Sequence, residues 1–226
     1  MLRMSAHICR LHSKHLNHNF RARRLSIYFT RQLERTSGKN EFLRIAGTYL
    51  FLVKKGDWHI SVPKFNAVID YFTNSYKLVA LFSLIESLTD LPFKDFHEWL
   101  SEHPDLAIFP ICDKAHLKSL HDDYKKDFGS IRRCVSFFEN LPPYQKAKLC
   151  NAIRPNGKPT PTIKRLAQTL YNLRSKFVHQ AELVLQISNI PILSMENNRV
   201  VHNDLPIEIL LEAFEQGLLA YFNSAA

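Results

Sequence analysis

Leu170 to Glu182 reads LYNLRSKFVHQAE, and the residues in front of it decide how it is held. From Thr162 onward the apolar positions Ile163, Leu166, Ala167, Leu170 and Leu173 recur at helical spacing, and Thr162, directly after Pro161, has a side chain suited to capping the first turn. The stretch is therefore expected on an established helix. There Arg174 and His179 project about 140° apart, at about 100° per residue, while Ser175 and His179 lie one turn apart on a shared face. A long arginine side chain can swing toward that face. One helix then offers a permanent cation, a hydroxyl and an imidazole that titrates near neutrality, the smallest set that binds a phosphate and moves a proton.

Around this helix the rest of the chain reads as mainly α, an up-and-down helical bundle with one or two small β-hairpins. Pro63 opens the longest periodic stretch, in which Val68, Tyr71, Phe72, Tyr76, Val79, Phe82 and Ile85 trace a stripe as far as Leu88. Glu86 sits on the rim of that stripe, where a carboxylate is costly to bury without a cation, and Arg174 is the expected partner. A solvent-facing Glu86 is the alternative. Between Pro92 and Pro161 four short helices are expected, with Asp113 and Ser130 as N-caps, followed by the loop Asn156 to Pro161. After His179 a hairpin turned at Glu196-Asn197-Asn198 is expected, and Pro206 starts a final helix that closes the bundle.

Residues 41–62 are expected to form a small β-hairpin turned around Gly56, preceding a helical domain over 63–226. Its exposed cations Lys54 and Lys55, interleaved with Trp58 and His59, suit a single-stranded nucleic acid, or else merely solvate an edge strand. Arg132 and Arg133 are a second candidate nucleic-acid contact, in a region whose interleaved acids read first as a solvated helix face.

With 226 residues, 46% of them hydrophobic, the chain can bury one sizeable core. It has six glycines and neither a Gly-x-Gly-x-x-Gly run nor a phosphate loop, which argues against a nucleoside-triphosphate enzyme. Four scattered cysteines fit a reduced interior, and no apolar run reaches membrane-spanning length, so a soluble cytoplasmic protein with no membrane partner is expected. The net charge of +9 is concentrated at the start of the chain, where seven cations and no acid precede Glu34. Residues 1–40 read as a basic flexible extension, a nucleic-acid-binding arm or a transit peptide. Within it Cys9, His12, His15 and His18 recur every three residues without a following ligand pair, and no metal site is assigned.

An Arg, a polar residue, three more and a His on a late helix of an all-helical chain resemble the motif of HEPN domains. RSKFVH keeps both motif positions, and LYNLRSKFVH is similar to the branch reading Leu-Tyr-x-Leu-Arg-Ser-x-x-x-His. The resemblance runs from about Pro63 to Phe222, with Tyr76 to Leu88 similar to that branch's first long helix. It implies a metal-independent endoribonuclease without a cofactor, acting on RNA by 2′-hydroxyl attack that leaves a 2′,3′-cyclic phosphate. His179 would then be the acid or base, Arg174 would hold the phosphate, Ser175 would hydrogen-bond either, and Lys176 would add a second cation. The resemblance also implies a homodimer through the motif helices and service in toxin–antitoxin or antiviral defence, with an antitoxin or other defence protein as partner. The alternatives are a non-catalytic module binding RNA, nucleotide or protein, and a structural role in which Arg174 holds Glu86. Ala181 stands where the branch silenced by nucleotide transfer carries a tyrosine, so regulation by that route is not expected.

Overall fold

The computed structural model describes residues 36–56, 66–88, 94–108, 111, 113–196 and 198–224. The basic segment before Thr36, with its cysteine and histidines, lies outside the described residues, as do Trp58, His59 and Pro63. The architecture is mainly α: eight helices and one small antiparallel sheet among the described residues. Helix α1 (Thr36–Thr48) runs into a π-helical segment (Tyr49–Lys54), followed by α2 (Asn66–Glu86), α3 (Phe96–Ser101), α4 (Lys114–Phe128), α5 (Ser130–Glu139) and α6 (Pro143–Ala152). Strand β1 (Ile153–Pro155) leads to α7 (Ile163–Gln180), the hairpin β2 (Ile192–Glu196) and β3 (Arg199–Asn203), and α8 (Ile207–Ser224).

The long apolar stripe makes α2 the spine: Leu78, Leu81, Phe82 and Ile85 are buried, and α2 packs on α5, α7 and the π segment. Phe82 meets Phe138 of α5 and Tyr171 of α7, and Phe214 of α8 lies against Tyr49 and Phe137. Helix α8 comes so close to α5 that a Cβ on Gly217 would stand 2.3 Å from Cζ of Phe137. A separate small cluster of Trp99, Leu100 and Leu120, flanked by Phe96, Tyr124 and Phe128, holds α3 against α4. Asp95 caps α3 in a reciprocal box with Glu98, and Asp113 caps α4 through the Ala115 amide, as expected for Asp113. Gly129, one residue before the expected Ser130, occupies the N-cap of α5.

Residues 41–56 do not form the expected hairpin. Phe42, Ile45, Ala46, Tyr49, Leu50 and Val53 are buried together, and their spacing is helical, so the segment closes over α2 and α8 as helix. Its aromatic and β-branched content suggested strand, but burial of one helical face outweighs that local preference. The helical segment ends at Lys54 with Lys55 as its C-cap, and the next residue is glycine because a Cβ on Gly56 would lie 2.3 Å from the Leu52 carbonyl oxygen; residues 57–62 of the expected hairpin lie outside the described residues.

The later hairpin is present as expected, with Met195 opposite Val200 and Glu196 opposite Arg199. Strand β1, too short to show a period, was not anticipated; it pairs with β3, giving the order β1-β3-β2. Thr160 secures the start of the next loop by donating to the Ile153 carbonyl from its hydroxyl at 2.8 Å. The chain then turns at Asn156 and Gly157 and is delivered to Thr162, whose hydroxyl accepts from the Arg165 amide at 3.2 Å and starts α7.

Candidate functional site

Helix α7 buries Leu166, Ala167 and Leu170 and carries different chemistry on its two sides. On the core side, Arg174 reaches α2, where its Nη2 donates to Oε2 of Glu86 at 3.4 Å. This is the pairing expected from the sequence. The Arg174 side chain is only 16% exposed, and its guanidinium lies 5.7 Å from the Tyr171 ring centroid. Arg133 of α5 donates to the Glu86 backbone carbonyl at 3.3 Å, which places it around Glu86 as well. Burial pushes the Glu86 carboxyl above its ordinary range, while the Arg174 and Arg133 cations pull it partway back. Burial likewise holds the Cys134 thiol up at about 12 and raises the Tyr171 phenol. Glu86 Oε1 and Arg174 Nε are buried without a hydrogen-bond partner among the described residues, so the pair retains spare donor and acceptor capacity.

His179 is exposed in the last turn of α7, and among the described residues it makes no hydrogen bond or ion pair. Ser175 is half-buried, and exposed Lys176 pairs with Glu182 at 3.3 Å. Arg174 and His179 therefore share a helix but face different surroundings, the arginine committed to Glu86 and the imidazole open to solvent. The helix ends at Ala181, a residue in the left-handed region (φ 56°) whose amide donates to the Phe177 carbonyl.

The other basic candidates lie on different elements. Lys54 is held by Glu215 of α8 at 2.5 Å, a carboxylate that also accepts from the Tyr49 hydroxyl at 2.8 Å. Lys55 is exposed. Arg132 pairs with Asp127 at 3.5 Å on the surface. His202 pairs in register with Leu193 and Arg154, on the sheet face opposite buried Val201 and Asn203.

Sequence reasoning missed a cleft of about 730 Å³ between the polar side of α7 and the sheet. Arg165, Thr169, Asn172 and Lys176 line one wall, while Ile153, Pro155, Met195, Arg199 and Val201 line the other. The α7 residues recur at alternating steps of four and three, and the next step of three is His179. That polar stripe was legible in the sequence; the opposing wall, brought in by β1 and the hairpin, was not.

Comparison of the chain with known protein families, curated proteins and solved structures finds no match. Among the described residues no helix is long and apolar enough to cross a membrane, and no group of His, Cys, Asp and Glu is arranged to hold a metal ion.

Proposed function

We propose that the protein is a HEPN-type, metal-independent endoribonuclease that works as a homodimer. The observation that carries this reading is the motif helix itself: Arg174 braced by Glu86 on one side and His179 open to solvent on the other, within a mainly helical chain. Cleavage by 2′-hydroxyl attack uses a base and an acid, whereas one copy offers one such imidazole. Two copies of His179 across a two-fold axis supply both. Val178, 47% exposed beside His179, provides apolar surface for that pairing. In this arrangement His179 moves the proton, Arg174 stabilises charge developing on the phosphate oxygens, and Ser175 hydrogen-bonds the phosphate or the imidazole. Service in toxin–antitoxin or antiviral defence, with a neutralising protein partner, belongs to the same proposal.

The test is RNA cleavage in EDTA by wild type, His179→Ala and Arg174→Ala. Chelator-resistant cleavage, lost in both folded variants and not restored by mixing the two, because the mixed dimer keeps a single His179, is the expected result. Cleavage by a strict monomer would sink the paired site. A second reading, a non-catalytic RNA-binding module, is favoured by one specific observation, the commitment of Arg174 to Glu86 away from His179. A folded wild type that binds RNA but leaves a broad panel uncut would establish it.

A further inference from the structure

We infer that the cleft between α7 and the β-sheet is a binding track for the phosphate backbone of single-stranded RNA, with Arg165, Lys176 and Arg199 as its phosphate contacts. The inference deepens the proposed function by assigning the surface along which the substrate approaches His179. Among the described residues three cations and one carboxylate, Glu182, line the cleft, and Glu182 is already held by Lys176 at 3.3 Å. Among the described side chains Arg165 and Arg199 have no carboxylate partner, although they face the cleft from opposite walls. Two guanidiniums facing one polar opening repel one another, and an anion between them relieves that repulsion.

The shape argues for a polymer rather than a free phosphate. Arg165 and Lys176 are separated by about 16 Å along the helix at 1.5 Å per residue, farther than one phosphate group spans. Among the described residues no glycine-rich loop lines the cleft to grip a terminal phosphate, and the Arg165 amide in the first turn of α7 is already taken by the Thr162 hydroxyl. Among the described residues no aromatic side chain lines the cleft, so the bases find no stacking platform there and recognition falls on the backbone. Thr169 and Asn172, between the two cations on the same wall, offer neutral hydrogen-bonding groups to the sugar-phosphate chain. The same stripe continues to His179, so a strand held by Arg165 and Lys176 is led to the imidazole.

Fluorescence anisotropy with a short labelled single-stranded RNA of mixed sequence, titrated over a range of salt, tests this on the full chain. Arg165→Gln and Arg199→Gln should each weaken binding several-fold and reduce the slope of log K against log salt by about 0.7, the contribution of one phosphate contact on a single strand. Lys126→Gln, an exposed cation outside the cleft, should leave both unchanged, and circular dichroism should show all three folded. Cleft variants that bind like wild type, or a wild type that binds no RNA, would overturn the inference. The nuclease reading is judged separately in the same samples. Binding that depends on Arg165 and Arg199 without any cleavage retains the track and removes the enzyme. Cleavage dependent on His179, with binding indifferent to the cleft, does the reverse.

Discussion

Glu86, at the end of α2, and Arg174, in α7, lie 88 positions apart in the chain and meet at 3.4 Å with both side chains largely covered. Removing the arginine leaves a covered carboxyl without its cation, so Arg174→Ala should destabilise the fold by about 2 kcal/mol. Replacing both residues with alanine removes the stranded charge as well, and the double variant should be less destabilised than the two single losses added together. Urea unfolding of the four proteins in this cycle gives the coupling. Strict additivity would show that the contact carries no energy.

Stability should also depend on pH through Glu86. Its folded pKa is raised, chiefly by burial, so its contribution is fully present below the ordinary glutamate pKa and is lost as pH rises through the folded value. Glu86→Gln lacks that loss. Its thermal midpoint relative to wild type should therefore climb with pH across this interval and stay level above it. A difference that falls with pH would reverse the assigned direction.

Ala181 adopts φ 56° at the end of α7, a conformation that costs an L-residue about 1 kcal/mol and glycine almost nothing. Ala181→Gly should accordingly raise unfolding stability, by about 0.5 to 1 kcal/mol after allowing for the freer unfolded glycine. The gain is read from the urea midpoint at unchanged slope.

Gly217 presents the opposite case. An alanine there would gain helix propensity but drive its methyl into the buried Phe137 ring, which stacks on Phe214 with centroids 5.7 Å apart. Overpacking outweighs propensity, and Gly217→Ala should cost about 1 to 2 kcal/mol. Gly217→Ala combined with Phe137→Leu should recover part of that loss by making room for the methyl.

Much of this site was legible in the sequence because its determinants are local. The Thr162 cap, the apolar period of α7, the turn between β2 and β3 and the placement of Glu86 at the rim of an apolar stripe all follow from spacing and side-chain chemistry. Residues 42–54 were misread because aromatic and β-branched residues were weighed above a helical period that burial enforces. Arg133 read as a free surface cation, since nothing in its neighbours announces the Glu86 carbonyl that it meets. The cleft wall was invisible for a different reason: Ile-Arg-Pro is too short to display alternation, and Arg199 faces α7 only through long-range strand pairing.

The pairing of Ile153 with Asn203 has a consequence for the order in which the molecule is made. Those two residues bracket α7 in the chain, so a nascent polypeptide completes the motif helix before it possesses the strand that walls the cleft. Helix formation is local and fast, whereas the ladder between β1 and β3 waits for closure of a long loop. Until that loop closes, Arg174 and His179 exist on a helix with no channel beside it. A chain ending just after Gln180 would therefore carry the motif helix without the cleft, and the RNA binding proposed for that cleft would mature only once the hairpin of β2 and β3 has emerged from the ribosome.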